Sequence, residues 1–190
     1  TFAIHYHLFD GTPSRLWLDH SLQWAFGIDE ELGPGSADAI YDAINAKLGE
    51  PDLRPLALLD RAKVEAIATT EFALDPLDHH RTLKEAGLVG RVRTTYRPDD
   101  VSDPDNPDFA DNLTALAELT GEDVEKWSGL IEAHRKRRAS FREMGALATD
   151  HGVPSAMTAD LDDGAKQKLL NGALAGTLSP HEAELFRGQI

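Results

Sequence analysis

Apolar residues return every three to four positions through much of this chain and gather into short continuous runs elsewhere, a change of period that separates helices from buried strands. Thr12-Pro13 forms an N-cap and first-turn pair, and Gly27 sits where a helix would stop. Between them Leu16, Trp17, Leu22, Ala25 and Phe26 supply apolar surface at helical spacing. Ser36 opens a second helix with Ile40, Tyr41, Ile44 and Leu48 on one stripe and Gly49 at its end. A short helix follows over 55–62. The period then changes, and a strand is predicted over 64–70, running into Thr69-Thr70-Glu71. A second strand over 91–96 ends in Arg97-Pro98-Asp99-Asp100, and a third over 146–149 ends in Asp150-His151-Gly152. Helices are predicted between them over 76–86, 109–119 and 122–143, the last opened by Thr120 and Asp123 as a capping box. Ser179-Pro180-His181-Glu182 marks one more helix start in the tail.

The order strand–helix–strand–helices–strand, with connections long enough for parallel crossovers, predicts a mostly helical α/β protein. The expected organisation is a helical insertion or cap over 1–62, a β/α section over 63–158 and a helical segment over 159–190. Three strands cannot close a barrel. The chain opens at Thr1 directly in an apolar run and stops at Ile190 inside a helical pattern, so it reads as an internal piece of something longer.

Charge narrows the partners. With 19 Lys+Arg against 33 Asp+Glu the formal net charge is −14, which argues against binding a phosphate backbone or an anionic membrane. No apolar run reaches the length of a bilayer span, and the absence of cysteine removes thiolate chemistry and disulfides. A cytoplasmic location is the expectation.

Chemistry in β/α folds gathers where strands end. Arg97, stiffened by Pro98, suits a grip on a substrate carboxylate or an enediolate oxygen, and an ion pair with Asp99, Asp100 or Asp103 is the competing reading. Asp150-His151 could be an acid/base or orienting pair, or a capped loop with a solvated histidine. Glu71 and Tyr96 close their own strands and join Arg97 as candidate substrate contacts. His5-Tyr6-His7 invites a metal reading, but no further ligand stands nearby at suitable spacing. Of His79 and His80, adjacent on a helix, at most one can face a site. The basic run His134 to Arg138 reads as a solvated helix face, and Trp17, Trp24 and Trp127 read as core anchors.

Taken together, Thr12-Pro13-Ser14-Arg15-Leu16-Trp17-Leu18 through Phe26-Gly27, Ile67-Ala68-Thr69-Thr70-Glu71, Arg93-Thr94-Thr95-Tyr96-Arg97-Pro98-Asp99 and Thr149-Asp150-His151-Gly152 resemble, in order and spacing, the uronate (glucuronate) isomerases of the amidohydrolase superfamily. The resemblance covers essentially the whole chain. It implies part of a distorted (β/α)8 TIM barrel, about three parallel strands, with a helical insertion. It also implies aldose–ketose isomerisation of D-glucuronate to D-fructuronate and D-galacturonate to D-tagaturonate through a cis-enediol. A small hexuronate substrate, a homo-oligomer and a divalent metal, typically zinc, come with it. Arg97 matches the family arginine that contacts substrate, with Tyr96 and Glu71 beside it and Asp150 and His151 as catalytic candidates.

Departures from the family pattern set limits. Its members are considerably longer, and their metal-binding H-x-H lies on the first barrel strand, whereas His5 and His7 stand where the insertion begins. Glu71 occupies a position where many relatives carry Asp. The metal ligands are therefore expected outside this segment, which alone should be inactive. Two other readings stay open: another metal-dependent hydrolase of the superfamily, and a non-catalytic helical interaction module.

Overall fold

The computed structural model describes residues 1–190, which divide into two compact units, Thr1–Glu65 and Ala66–Ile190. The first unit is helical. A 3-10 helix, Phe2–Phe9, buries only Tyr6, whose hydroxyl donates to Asp19 at 2.7 Å while the Arg15 guanidinium lies 4.1 Å above its ring. His5 and His7 are exposed on this helix. Helix α1, Pro13–Phe26, starts on the Thr12 cap and stops at Gly27, whose φ of 71° puts it in the left-handed region. Helices α2, Ala37–Leu48, and α3, Pro55–Arg61, complete the unit. Ser36 precedes α2 without capping it by its side chain; its hydroxyl instead donates to the Glu31 carbonyl and accepts from the Gly33 amide. Core is thin here: α1 buries no residue, and Trp17, read from sequence as a core anchor, is 68 % exposed.

The second unit holds the sheet. Strands β1, Ile67–Phe72, and β2, Val92–Arg97, pair in parallel with Ile67 opposite Val92 and Phe72 opposite Arg97. Helix α4, Asp78–Glu85, lies between them in sequence, forming a β–α–β crossover. Strand β1 begins later than the predicted 64–70 because the Val64 amide is still bonded to the Leu59 carbonyl of α3. The expected third strand over 146–149 is reduced to one parallel bridge, Tyr96 to Thr149. That run is four residues long, follows Gly145 at φ 94° and leaves Leu147 78 % exposed, so only the Tyr96 amide to Ala148 and the Asp150 amide to Tyr96 join the ladder. Two parallel strands and a bridge make an open sheet in a mostly helical α/β chain, and no barrel is formed by these residues.

Helices α5, Asp99–Ser102, α6, Phe109–Thr120, α7, Trp127–Glu143, α8, Asp163–Leu174, and α9, Pro180–Arg187, follow. Helix α6 presents Phe109, Leu113 and Leu116 to the core at helical spacing. Helix α7 does the same with Leu130, Ala133, His134, Arg137 and Phe141, and packs on β2. Each fully buried Leu or Phe contributes about 1.5–3 kcal/mol. The 122–143 helix thus starts later than expected. Thr120 is the last residue of α6, its hydroxyl bonded to the Leu116 carbonyl, and is no cap for α7. Asp123 instead pairs with Lys126 at 2.8 Å. At α9 the Ser179–Glu182 capping box is formed in both directions.

The basic run of α7 is where sequence and structure part most clearly. His134 is 1 % and Arg137 7 % exposed, so the face read as solvated is in part core. Arg137 donates from Nε to the Ala73 carbonyl at 2.7 Å and from Nη2 to the Asp75 carbonyl at 2.8 Å. Asp100 accepts the Ala73 and Leu74 amides from the other side. The loop after β1 is thus clamped between a buried cation and a half-buried carboxylate. Burial lowers the Arg137 pKa and raises that of Asp100.

Candidate functional site

Alternation along the two strands decides which side chains can meet. Ile67, Thr69 and Glu71 of β1 and Val92, Thr94 and Tyr96 of β2 point toward the helices, as their burial shows. Ala68, Thr70, Phe72, Arg93, Thr95 and Arg97 lie on the opposite face. Arg97 and Tyr96 are neighbours in sequence and therefore on opposite sides of the sheet.

On the open face, at the C-terminal ends of the strands, the structure brings together Thr70, Arg97, Asp99, Asp150 and Gly152. Arg97 Nε donates to Asp99 Oδ2 at 2.6 Å, and its Nη1 lies 3.8 Å from Asp150 Oδ2. Thr70 Oγ1 donates to that same Asp150 oxygen at 3.4 Å. Asp99 Oδ1 accepts the Gly152 amide at 2.9 Å. The guanidinium stands 5.8 Å from the Phe72 ring centroid, and the hydrogen bond to Asp99 raises its pKa. This is a fixed cation beside a partly exposed carboxylate, open to solvent on one side. Such a pair can bind an anionic oxygen and move a proton next to it. His151, the residue after Asp150, is exposed.

The other two candidates sit behind the sheet. Tyr96 is 2 % exposed, stacks edge-on against Phe141 and has its hydroxyl 2.9 Å from His134 Nδ1. Burial pushes the Tyr96 phenol upward. Burial, with Arg138 and His151 adding positive charge nearby, pushes the His134 imidazole down to about 4. A neutral His134 accepts the Tyr96 hydroxyl at Nδ1, and its buried Nε2 makes no well-formed hydrogen bond. Glu71 lies 3.0 Å from His80 Nε2 and accepts from the Thr94 hydroxyl. Burial raises its pKa, but the hydrogen bonds from Thr94, Thr69 and His80 outweigh that and hold the carboxyl below the usual range. Of the two adjacent histidines it is His80 that turns inward, 5 % exposed, while His79 is exposed. The ion pair of Arg97 with Asp99, the competing reading from sequence, is formed, and Thr70 stands at the strand end where the sequence puts it. The burial of Arg137, the hold of Thr70 on Asp150 and the bond from Asp99 to Gly152 are new in the structure. The signal for Arg137 was present in the spacing Leu130, His134, Arg137, Phe141, which continues an apolar stripe.

No group of three or more His, Asp or Glu side chains is placed to hold a metal ion. No helix is long and apolar enough to cross a membrane.

Comparison with known proteins identifies what the chain is similar to. The family model described as glucuronate isomerase matches residues 1–190. Uronate isomerases from Rhizorhabdus wittichii and Mesorhizobium japonicum are 50% identical over 188 residues and 49% identical over 189 residues, covering 99% and 100% of this chain. The chain spans about 40% of the length of each of these curated relatives. The crystal structure of glucuronate isomerase from Caulobacter crescentus superposes with a TM-score of 0.92 at 44% identity, over 99% of this chain and 39% of that one. That of uronate isomerase from Thermotoga maritima gives 0.89 at 28% identity, over 98% and 41%. These matches, over the whole of residues 1–190, lead to one conclusion: the chain belongs to the glucuronate isomerase family.

Proposed function

We propose that this chain supplies one wall of the active site of an aldose–ketose isomerase acting on hexuronates, interconverting D-glucuronate with D-fructuronate and D-galacturonate with D-tagaturonate. The observation that carries the reading is the Arg97–Asp150 pair on the open face at the strand ends, 3.8 Å apart. Isomerisation moves a proton between adjacent carbons through a cis-enediol and passes through developing negative charge on oxygen. Asp150, as general base, takes the proton from the carbon next to the carbonyl and returns it to the neighbouring carbon, with the exposed His151 serving the hydroxyl proton. Arg97, fixed beside Asp150, stabilises the enediolate oxygen through its Nη1 side, which faces Asp150. Thr70 holds the Asp150 carboxylate, and Glu71 and Tyr96, on the helix-covered face, act through the strands that carry Arg97 and Thr70. The barrel to which β1 and β2 would belong, a homo-oligomeric assembly and a cytoplasmic location are part of the same reading, supported by the family match and the acidic, cysteine-free composition. A divalent metal such as zinc also comes with the family, yet these residues gather no ligand set for one, so no step is routed through it.

The test is Arg97→Lys in the full-length protein that carries this chain, with ketose formation from D-glucuronate followed by NMR. Lysine keeps the charge and loses the planar fork. Loss of a charged hydrogen bond to the transition state costs roughly 2–4 kcal/mol, so kcat and kcat/KM should fall together on the order of 30–1,000-fold. A rise in KM alone would assign Arg97 to the substrate carboxylate instead. Both parameters intact would remove Arg97 from the site.

A further inference from the structure

Asp99 joins the end of β2 to the turn that follows the Thr149 bridge, far apart in sequence. One carboxylate oxygen takes the Arg97 Nε–H at 2.6 Å and the other takes the Gly152 N–H at 2.9 Å, across 53 residues of chain. The carboxylate is 20 % exposed and stands in a constrained turn: Pro98 before it is buried, and the Val101 amide closes onto the Pro98 carbonyl at 2.9 Å. The far side of the guanidinium is walled by backbone, because a Cβ on Gly152 would fall 2.6 Å from Arg97 Nη2 and 2.5 Å from Asp99 Oδ2. With Nε occupied and Gly152 against Nη2, the guanidinium cannot swing about its stem without breaking the Asp99 contact. The edge left for a ligand is the one facing Asp150.

We propose that Asp99 is a positioning residue for the isomerisation: it locks the Arg97 guanidinium in the orientation that presents its Nη1 edge beside Asp150, and ties that orientation to the Gly152 loop. The proposal rests on the reading of Arg97 as the group that meets the enediolate. It differs in sign from a mere charge effect. Removing a negative charge next to Arg97 strengthens attraction for an anionic hexuronate and for the developing enediolate, so Coulomb effects alone lower KM and keep or raise kcat. Loss of orientation lowers kcat, because a misplacement of about 1 Å at a reacting group costs on the order of 100-fold.

The experiment is a double-mutant cycle in the full-length isomerase with D-glucuronate as substrate. Asp99→Asn is nearly isosteric and keeps an acceptor for the Gly152 amide, while its NH2 opposes the Arg97 Nε–H. It should lower kcat about 100-fold without lowering KM, yet cost under about 3-fold in the Arg97→Lys background, since a residue acting through another shows strong coupling. Asp99→Glu, which keeps the charge but changes the reach, should also lose kcat, and it serves if the asparagine variant does not melt cooperatively. The proposal is overturned by an unchanged or raised kcat, by a lower KM with kcat retained, or by the same loss in both backgrounds. Full activity of Arg97→Lys alone would instead remove the functional reading on which it stands.

Discussion

Replacing His134 by Asn should remove a pH dependence of stability that the buried Tyr96–His134 pair gives the parent. In the folded chain this imidazole is held neutral, with its pKa pushed from 6.5 to about 4, first by burial and then by the positive charge of Arg138 and His151. In the unfolded chain it takes a proton near its ordinary value. Between those two pH values the unfolded state binds more protons, so stability is fully present above about pH 6.5, falls as the pH drops, and stops falling below about pH 4. At 1.36 kcal/mol per pKa unit the whole effect is roughly 3 kcal/mol, of which about 2 kcal/mol falls between pH 7 and pH 5. Asparagine keeps an acceptor for the Tyr96 hydroxyl but does not titrate. The assay is urea unfolding followed at Trp127, which packs on Phe186 in the same unit, with Trp17 and Trp24 replaced by Phe. The variant should be less stable at pH 7, and the parent should lose about 2 kcal/mol more than the variant between pH 7 and pH 5. Other histidines and the carboxylates are common to both proteins and cancel. Parallel curves over that interval would refute the neutral, buried imidazole.

Arg137→Met should lower the stability of the sheet-bearing unit by roughly 1–3 kcal/mol, because the apolar stem is kept while the Ala73 and Asp75 carbonyls lose their donor. Urea unfolding at pH 7 that is unchanged or improved would show that relief of the buried charge outweighs the two hydrogen bonds. Ser179→Ala should remove about 1 kcal/mol from α9 by opening its capping box, read as faster hydrogen exchange at the Glu182 and Ala183 amides. Unaltered exchange there would mean that packing of Phe186 alone holds the helix start.

What the sequence could disclose follows from how local each determinant is. Thr12-Pro13 with Gly27, and Ser179 with Glu182, act within one turn of helix, and both helices stand where those residues put them. The parallel pairing of β1 and β2 was readable because α4 leaves a crossover as the only short connection. The 146–149 run resembled a strand in composition, but its pairing depends on Gly145 and on what lies beyond Leu147, neither of which periodicity can weigh. His134 and Arg137 were hidden because side-chain polarity was given more weight than their place on the Leu130–Phe141 stripe. At the site, Arg97 and Asp150 were visible as strand-end residues. That Glu71 and Tyr96 lie behind the sheet follows from two-residue alternation once Arg97 is placed on the open face, and the bond from Asp99 to Gly152 needs the tertiary fold.

The two ways in which this chain returns to its sheet differ in length but hardly in free energy. Thr69 of β1 reaches the Arg93 carbonyl of β2 across 24 residues, and Asp99 reaches Gly152 across 53. Loop-closure entropy grows only with the logarithm of length, so the longer excursion, through α6 and α7, costs about 0.7 kcal/mol more than the shorter one. That is less than the net worth of one ordinary hydrogen bond, about 1 kcal/mol. The helices between β2 and the Asp150 turn can therefore lengthen, shorten or exchange sequence at little entropic cost, provided the bond from Asp99 to Gly152 still closes. Length variation among proteins built on this plan should accumulate in the exposed turns of that excursion, while the buried faces of α6 and α7 and the ends they connect stay fixed.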